Sequence, residues 1–210
     1  MRKLITLITI LVTVSVTSQN FQLHRDFERG QFTTTFEMFK MDKYGNTFTF
    51  IDFDYNAAVG TGSAYYEIAR VLKTEKMPVG LHVEYNAGLS NAFSFNEAWI
   101  FGANYSKGGA KWGFSTYAGY KAFTGAGEGN FQVTGTWYVN IIENKLTFSG
   151  FADLWTENGL SEKTVFLSEP QLWYHLNKSF SIGGEVELAN NFAYEFEFKV
   201  RPTLAIKWNI

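Results

Sequence analysis

The side chains best suited to bind a small molecule are aromatic and ionisable residues at alternating positions. Phe48, Phe50, Asp52 and Asp54 follow one another at every second residue, so in a strand all four would project from one face. Stacking of an aromatic ring on a flat ligand such as a nucleobase stabilises the complex by roughly 1–3 kcal/mol per base. Carboxylates accept hydrogen bonds from hydroxyl groups. If the strands close into a small β-barrel, the same rings would equally well serve to fill its interior. The predicted binding residues are Phe48, Phe50, Asp52, Asp54, Glu67, His82, Glu84, Tyr117, Tyr138 and Trp155.

The histidines do not form a recognisable catalytic set. His24 lies two residues before Asp26, and His82 lies two residues before Glu84, a spacing that places each pair on one face of a strand. Such pairs are common by chance, and no serine nucleophile is marked beside them. The chain has no cysteine, which excludes disulfides, thiolate metal ligands and cysteine nucleophiles. We therefore predict no enzymatic activity, no metal site and no cofactor.

The elements that must carry these side chains are strands, because apolar and polar residues alternate along most of the chain. In one such segment Leu81 and Val83 share one side, and His82 and Glu84 face the other way. No segment after residue 19 has a sustained helical period. Twelve strands are predicted, at residues 20–28, 31–40, 46–55, 63–72, 79–86, 96–106, 111–121, 130–140, 145–155, 164–174, 179–188 and 194–210.

Alternation alone leaves open which face is outside, because a soluble sandwich buries its apolar face and a membrane barrel turns it outward. Strands of about 9–11 residues match the thickness of a bilayer, and large aromatic residues lie near the predicted strand ends, as at a membrane interface. In lipid every backbone polar group must be paired, which without helices requires a closed barrel. The sequence thus predicts an all-β fold, a closed antiparallel transmembrane β-barrel of about 12 strands over residues 19–210. A soluble secreted β-protein is the competing interpretation.

The first residues have the features of an export signal. Arg2 and Lys3 precede an apolar run at 4–16, and small residues follow it before Gln19. The run is too short for a spanning helix, which needs about 20 apolar residues, so we predict a signal peptide at 1–18. Export would place the barrel in outer-membrane lipid of a Gram-negative bacterium. The net charge of −2 provides no basic surface for nucleic acid.

The predicted connections differ between the two ends of the strands. Turn-like segments at 41–46, 74–78, 107–110, 141–144 and 175–178 alternate with mostly longer loops at 56–62, 87–95, 122–129, 156–163 and 189–193. Short turns on one rim and longer loops on the other are typical of outer-membrane barrels. An even number of strands would place both termini on the periplasmic side. Pro202 removes one ladder hydrogen bond from the last strand, so we expect a bulge or kink there.

Acidic residues outnumber basic ones on the polar faces that would line the lumen. Such a lining should repel anions and favour neutral or cationic solutes. For any single acid, pairing with a basic neighbour is the simpler explanation. The basic residues are Lys121, Lys199, Arg201 and Lys207, and the acidic ones are Asp26, Glu37, Asp52, Asp54, Glu67, Glu84, Asp153, Glu169, Glu185, Glu187, Glu195 and Glu197.

Three segments, in this order, resemble the Tsx-type nucleoside-specific channels of the outer membrane. They are TTTFEMFKMDKYGNTFTFIDFDYN (33–56), AYYEIARVL (64–72) and FNEAWIFGANYS (95–106). The resemblance implies a twelve-stranded monomeric barrel for passive uptake of nucleosides. The closing LAIKWNI resembles the C-terminal signal of outer-membrane barrels, which implies recognition by the barrel assembly machinery. That signal usually ends in an aromatic residue, whereas this chain ends in Ile210.

The predicted function is an outer-membrane channel for passive diffusion of small polar solutes such as nucleosides through a narrow acidic and aromatic lumen. A plugged barrel with an enzymatic or surface-binding role is one alternative. Loops 122–129 or 156–163 folded into the lumen would favour it. The soluble secreted β-protein is the other alternative.

Overall fold

The computed structural model describes residues 16–210 except 57–59, 143–144 and 194. The predicted signal peptide at 1–18 lies largely outside the described residues and stays a prediction. Tyr194, which was to open the last strand, also lies outside them.

Thirteen β-strands make up the regular structure of the described residues. In this part of the chain, no helix has the length and apolar character needed to cross a membrane. The strands are β1 (Val16–Asp26), β2 (Phe32–Asp42), β3 (Gly45–Asn56), β4 (Gly60–Leu72), β5 (Gly80–Ser90), β6 (Ser94–Gly108), β7 (Trp112–Phe123), β8 (Asn130–Ile141), β9 (Leu146–Thr156), β10 (Thr164–Ser168), β11 (Gln171–His175), β12 (Phe180–Asn190) and β13 (Lys199–Asn209).

The strands form one closed antiparallel sheet. Each strand from β1 to β9 pairs with its sequence neighbours, and β13 returns to pair with β1, where Phe21 lies opposite Trp208. Strands β10 and β11 both lie between β9 and β12. They therefore occupy a single position, and the barrel has twelve positions. This confirms the predicted fold.

The strand predicted at 164–174 is interrupted at Glu169 and Pro170. The Pro170 carbonyl accepts a hydrogen bond from the Val186 amide at 3.0 Å, but proline has no N–H to return the bond. The register continues unchanged, with Ser168 opposite Ala152 and Gln171 opposite Ser149. On β9, Gly150 has φ +155, and a Cβ atom there would lie 2.5 Å from the Glu169 carbonyl oxygen. The interruption thus depends on a glycine opposite the proline.

The last strand begins at Lys199, so the predicted start at 194 is wrong. Asn191 and Ala193 have positive φ values of 57° and 51°, and the Glu195 amide donates to the Phe192 carbonyl. These features form a turn that period-2 alternation cannot reveal. Glu195 and Glu197, which the sequence placed on the lumen face of this strand, lie instead in the connection.

Pro202 produces no bulge, which corrects the second expectation for this strand. Leu188 lies opposite Val200 and Ile182 opposite Ile206, so β12 and β13 keep one register on both sides of the proline. Pairing with β1 ends at Asp26 opposite Thr203. The missing N–H of Pro202 therefore falls at the end of the ladder with β1, where no bulge is needed, and the alternative of a kink stays a prediction.

The two rims differ less in connection length than predicted. The turn rim carries 43–44, 73–79, 109–111 and 176–179, and the loop rim carries 27–31, 91–93, 124–129, 157–163 and 191–198. The loop expected at 87–95 shrinks to 91–93 because β5 and β6 extend beyond their predicted ends. Its closing hydrogen bond runs from the Ser90 amide to the Phe93 carbonyl at 2.9 Å. Which rim faces the periplasm stays a prediction.

The two faces of the sheet have opposite chemistry. Leu81 and Ile206 point outward and are 50% and 55% exposed, whereas His82 and Glu84 point inward and are each 2% exposed. Outward aromatic residues pack against one another, as Trp99 does with Tyr85 at 4.8 Å between ring centroids. The apolar faces of the strands therefore form the outer surface, and the ionisable faces line the lumen.

Candidate functional site

All ten predicted binding residues project into the lumen. The strand register pairs them with other inward residues, such as Phe50 with Glu67 and Asp52 with Tyr65. Their direction follows from the period-2 geometry of a strand, because residues two apart share one face. The lumen is therefore the candidate site, and the question is which of the ten lie together.

One group lies on β2, β3 and β4. The Phe48 and Phe50 ring centroids are 6.0 Å apart, and Phe50 is 5.9 Å from Tyr65. Asp54 accepts hydrogen bonds from Thr33 at 2.7 Å and Ser63 at 2.9 Å. We call Phe48, Phe50, Asp52, Asp54 and Tyr65 the aromatic–acid patch. It places flat rings beside carboxylates, as the sequence predicted.

Asp52 and Glu67 are held by hydroxyl and amide donors. Thr35 donates to Asp52. Tyr65 donates to Glu67 at 2.7 Å, and the Asn86 amide donates to the same Glu67 oxygen at 3.2 Å. Glu67 therefore lies between the aromatic–acid patch and the next group of side chains.

A second group lies on β5 to β9. His82 Nε2 is 2.8 Å from Glu84 Oε2, and the imidazole stacks on the Tyr117 ring at 3.8 Å with an interplanar angle of 16°. Register places Gly102 beside His82 and Gly119 beside Gly102, so no side chain separates the two rings. The Tyr117 hydroxyl accepts a hydrogen bond from Gln132 at 2.9 Å.

Lys121 supplies the cation of this second group. Its ammonium donates to Gln132 at 2.7 Å and lies 4.5 Å from the Trp155 ring centroid and 4.8 Å from that of Phe123. Glu67, Glu84 and Asp153 all interact with it electrostatically. Glu157 does so as well, so four carboxylates act electrostatically on one ammonium group whose hydrogen bond goes to an amide.

The opposite wall, on β11, β12, β13 and β1, has its own polar chain. His24 lies 3.0 Å from Thr203 Oγ1 and 3.4 Å from Glu185. Gln171 donates to Glu185 at 2.9 Å. The Lys207 ammonium lies 3.9 Å from the Trp173 ring centroid. His24 thus contacts Glu185, whereas Asp26, its neighbour on the same strand, binds Arg29.

Ion pairs concentrate at the loop rim. Arg29 contacts Asp26 at 2.6 Å and Glu187 at 3.3 Å. Arg201 is buried and donates to both Glu187 and Glu195. Arg29 was missed by the sequence interpretation because it lies in a connection, where strand periodicity gives no direction.

Apolar residues close part of the mouth at the same rim. Ala98, Phe123, Trp155 and Val165 form a buried cluster, and Ala126, Leu167 and Phe192 pack against it. Phe192, from the 191–198 connection, meets Trp155 edge to face at 6.0 Å. The 124–129 and 157–163 connections join through Asn130, whose Oδ1 accepts from the Asn158 amide at 2.6 Å. Loop residues thus reach over the lumen on the β7 to β12 side.

Tyr138 is the predicted residue that the structure sets apart. It lies at the turn rim, is 38% exposed and donates its hydroxyl hydrogen to the Gly109 carbonyl. Trp155 also has a structural partner, since its indole N–H donates to Glu157 at 3.0 Å. The strand pattern could have added Tyr65, Asn86, Asn104 and Gln132, which have the same inward parity as the predicted residues.

The histidine and carboxylate side chains of the described residues are the groups that metal binding or catalysis would use. No group of three or more histidine, cysteine, aspartate or glutamate side chains among them could hold a metal ion. The histidine that contacts a serine, His175 with Ser181 at 2.8 Å, has Thr147 as its other partner. A threonine hydroxyl cannot replace the orienting carboxylate of a triad.

Comparisons with known proteins agree with this architecture. A family model described as a domain of unknown function (DUF5020) matches residues 18–210. The NanC porin structure is similar with a TM-score of 0.63 and 10% identity, covering 90% of this chain and 98% of NanC. A KdgM porin in complex with disordered oligogalacturonate gives a TM-score of 0.52 and 10% identity, covering 93% of this chain and 98% of KdgM. None of the curated proteins compared with the chain matches it.

Proposed function

The chain belongs to the family described as domain of unknown function DUF5020, and we propose that it is an outer-membrane channel for passive diffusion of small polar solutes. The observation that carries this proposal is the inverted barrel, with apolar side chains outside and ionisable side chains inside. Large exposed apolar surfaces mark contact with lipid or with another protein. A closed sheet leaves no unpaired edge, as a lipid environment requires.

The location and partners of the barrel follow from the same surface. We propose outer-membrane lipid as its environment and the monomer as its working state, since the sheet closes within one chain. Export through the predicted signal peptide at 1–18, and assembly by the barrel assembly machinery through β13, belong to this proposal. Strand β13 has the apolar outward series Leu204, Ile206 and Trp208 that such a signal contains.

The charge of the lumen points to neutral or cationic solutes. The KdgM porin was solved in complex with oligogalacturonate, a polyanion, but the lumen of this chain carries Glu37, Asp52, Glu67 and Glu84 on the neighbouring strands β2 to β5, and Asp153 on β9. Repulsion by these carboxylates would oppose a polyanion. We therefore do not extend that ligand to this protein.

Nucleosides are the specific solutes that we propose for the aromatic–acid patch. Phe48 and Phe50 present adjacent rings to the lumen, and a nucleobase has a flat face that can stack on them. Asp52 lies two residues beyond Phe50 and can accept hydrogen bonds from ribose hydroxyls. The resemblance to Tsx-type channels supports the same solute class.

Single-channel conductance in planar bilayers tests both the channel function and the proposed nucleoside specificity. The wild-type barrel should conduct, and added nucleoside should lower its conductance. Phe50→Ala should keep the conductance but weaken the apparent nucleoside affinity by about 5-fold to 150-fold, which is what loss of roughly 1–3 kcal/mol of stacking implies. Tyr138→Phe is the matched control, because Tyr138 lies at the turn rim away from Phe50. Equal block of both variants would remove the nucleoside assignment but not the channel.

A plugged barrel is the second candidate, and the apolar cluster at the loop rim favours it. Phe192 packs on Trp155 and covers part of the mouth. Phe192→Ala should open this side and raise the conductance, whereas Phe196→Ala, in the same connection but 63% exposed, should not. A wild-type barrel that conducts no ions while Phe192→Ala conducts would favour the plugged alternative.

A further inference from the structure

Lysine side chains surround one end of the barrel. Each connection of the turn rim has at least one exposed lysine in it or close to it. Because the strands close into a ring, the five connections of this rim are spread around the whole circumference. We call the following seven residues the turn-rim lysines: Lys40 and Lys43 at β2–β3, Lys76 at β4–β5, Lys107 and Lys111 at β6–β7, Lys145 at β8–β9 and Lys178 at β11–β12.

The turn-rim lysines form no ion pair among the described residues. Of the acids at this rim, Asp42 already pairs with Arg70 at 2.8 Å. The other acid in the described part of the rim is Glu75, and Glu143 lies outside the described residues. Lys43 lies over the ring of its exposed neighbour at 4.7 Å from the centroid, a contact that leaves its charge in place. Most of the positive charge at the turn rim is therefore not compensated by the protein.

The lysines at the loop rim differ, because each has a partner within the protein. Lys199 lies 3.6 Å from the Glu197 carboxylate. The Lys163 ammonium lies over the Phe196 ring at 3.1 Å from its centroid, and Lys121 is buried in the lumen, where it donates a hydrogen bond to an amide. In the described part of the chain, exposed lysines without an acid nearby are therefore concentrated at the turn rim.

The turn-rim lysines lie where the apolar outer surface of the barrel ends. On β6, Lys107 occupies the outward position that follows Tyr105, and it lies opposite Phe114 on β7. Tyr105, Phe114 and Trp112 are 42%, 40% and 48% exposed. Tyrosine and tryptophan concentrate at the headgroup level of a bilayer. A lysine beside them can keep its aliphatic stem on apolar surface while its ammonium group reaches the headgroups.

We propose that the turn-rim lysines bind the phosphate groups of anionic phospholipids in the leaflet that surrounds this rim. Phosphate oxygens accept charge-assisted hydrogen bonds from ammonium groups, and lysines beside an anionic membrane surface are attracted to it. A lipid leaflet contacts a barrel on all sides, as the lysines do, whereas a protein partner would cover one side. The inference rests on the proposed membrane location. The turn rim is the rim predicted to face the periplasm, where the leaflet of an outer membrane consists of phospholipids.

Quenching of tryptophan fluorescence by brominated lipids tests this contact in reconstituted vesicles. The substitutions Trp99→Phe, Trp137→Phe and Trp208→Phe leave Trp112 as the outward tryptophan, since the two others are buried in the lumen. At low salt Trp112 should be quenched more strongly by brominated phosphatidylglycerol than by brominated phosphatidylcholine. The preference should disappear at about 1 M salt, where the Debye length falls to about 3 Å. If this background does not fold, the lipid preference of the wild-type protein provides the same comparison.

Variants locate the effect at the rim. The double variant Lys107→Gln/Lys111→Gln removes the two ammonium groups nearest in sequence to Trp112. It should lower the preference for phosphatidylglycerol by up to about fivefold per lysine. Lys163→Gln/Lys199→Gln is the matched control, because it makes the same change of charge at the loop rim and should leave the preference unchanged. An unchanged preference in the turn-rim variant, or an equal fall in both variants, would overturn the proposal.

The possible results separate this inference from the membrane location. Quenching of Trp112 by both lipids without any preference would retain the membrane location and refute the phosphate contact. Absence of quenching by either lipid would refute the membrane location itself. Stronger displacement of brominated phosphatidylglycerol by lipopolysaccharide than by unlabelled phosphatidylglycerol would overturn the choice of phospholipid as the partner.

Discussion

Arg201 connects two elements of the loop rim through a single buried guanidinium group. It donates to Glu187 on β12 and to Glu195 in the 191–198 connection, and its side chain is 6% exposed. Arg29 contacts the same Glu187 from the 27–31 connection. The position of two connections therefore depends on charges that face each other inside the barrel.

Replacing Arg201 by alanine should destabilise the barrel by about 1–3 kcal/mol, because buried Glu187 would lose one of its two cationic partners and keep only Arg29 at 3.3 Å, whereas Glu195 is 42% exposed and can be solvated. The measurement is urea unfolding of the protein in detergent. Lys199→Ala is the control, since Lys199 pairs with a largely exposed Glu197 and should change stability by less than about 0.5 kcal/mol. Similar losses in both variants would contradict the role given to Arg201.

The direction of each predicted binding side chain followed from the sequence, but its neighbours did not. His82 and Glu84 share one strand, so period-2 alternation alone places both in the lumen. The stacking of His82 on Tyr117 depends on how β5, β6 and β7 are aligned, and hydrophobic alternation does not specify that alignment by residue number. The same reason explains why the sequence kept Tyr138 with the other nine residues.

Among the strands, the interruption between β10 and β11 shows that a proline in one strand requires a glycine in the neighbouring strand. Pro170 removes a ladder donor in the middle of the sheet, and Gly150 on β9 provides the space that its backbone needs. The strand pattern predicted continuous pairing here because alternation describes the polarity of side chains and says nothing about which backbone N–H donors are present. It likewise missed the turn at 191–195, which depends on residues with positive φ.

Gly150→Ala should therefore be destabilising by about 1–3 kcal/mol, the range for backbone held in a sparsely populated conformation. A matched control is Gly135→Ala on β8, because a Cβ atom at Gly135 would meet no atom within 4 Å. Chemical denaturation of both variants provides the comparison. If Gly135→Ala costs as much as Gly150→Ala, the close approach of Pro170 is not the cause.

At the scale of the whole molecule, the central feature is the inversion of apolar and polar faces. Composition and alternation predicted the strands, their number and their closure. They could not predict the ion pairs of the loop rim or the apolar cluster at the mouth, because these unite residues far apart in sequence. The outward apolar face and the inward polar face of the sheet constrain the general function. The choice of solute depends on which lumen side chains are neighbours, and the strand register determines that.

The outward apolar face gives a prediction for the proposed membrane location. Val83→Lys should destabilise the barrel in lipid vesicles by about 2–4 kcal/mol if the residue lies near the bilayer midplane. Tyr44→Lys, in the turn between β2 and β3 where Tyr44 is 55% exposed, serves as the control and should have little effect. The measurement is the free energy of unfolding of the two variants in lipid vesicles, each compared with the wild-type protein. Equal tolerance of both lysines would argue for a soluble protein.

The seam between β1 and β13 has a kinetic consequence. It pairs Asn20 with Asn209, so this ladder joins residues from nearly opposite ends of the described chain. Contacts of such long sequence separation form slowly. Until they form, the sheet has two open edges that can recruit strands from other molecules. Folding of this protein should therefore be slow and prone to aggregation unless both edges are shielded. A circular permutation that moves the chain termini to another connection should change the folding rate but still give the same closed barrel.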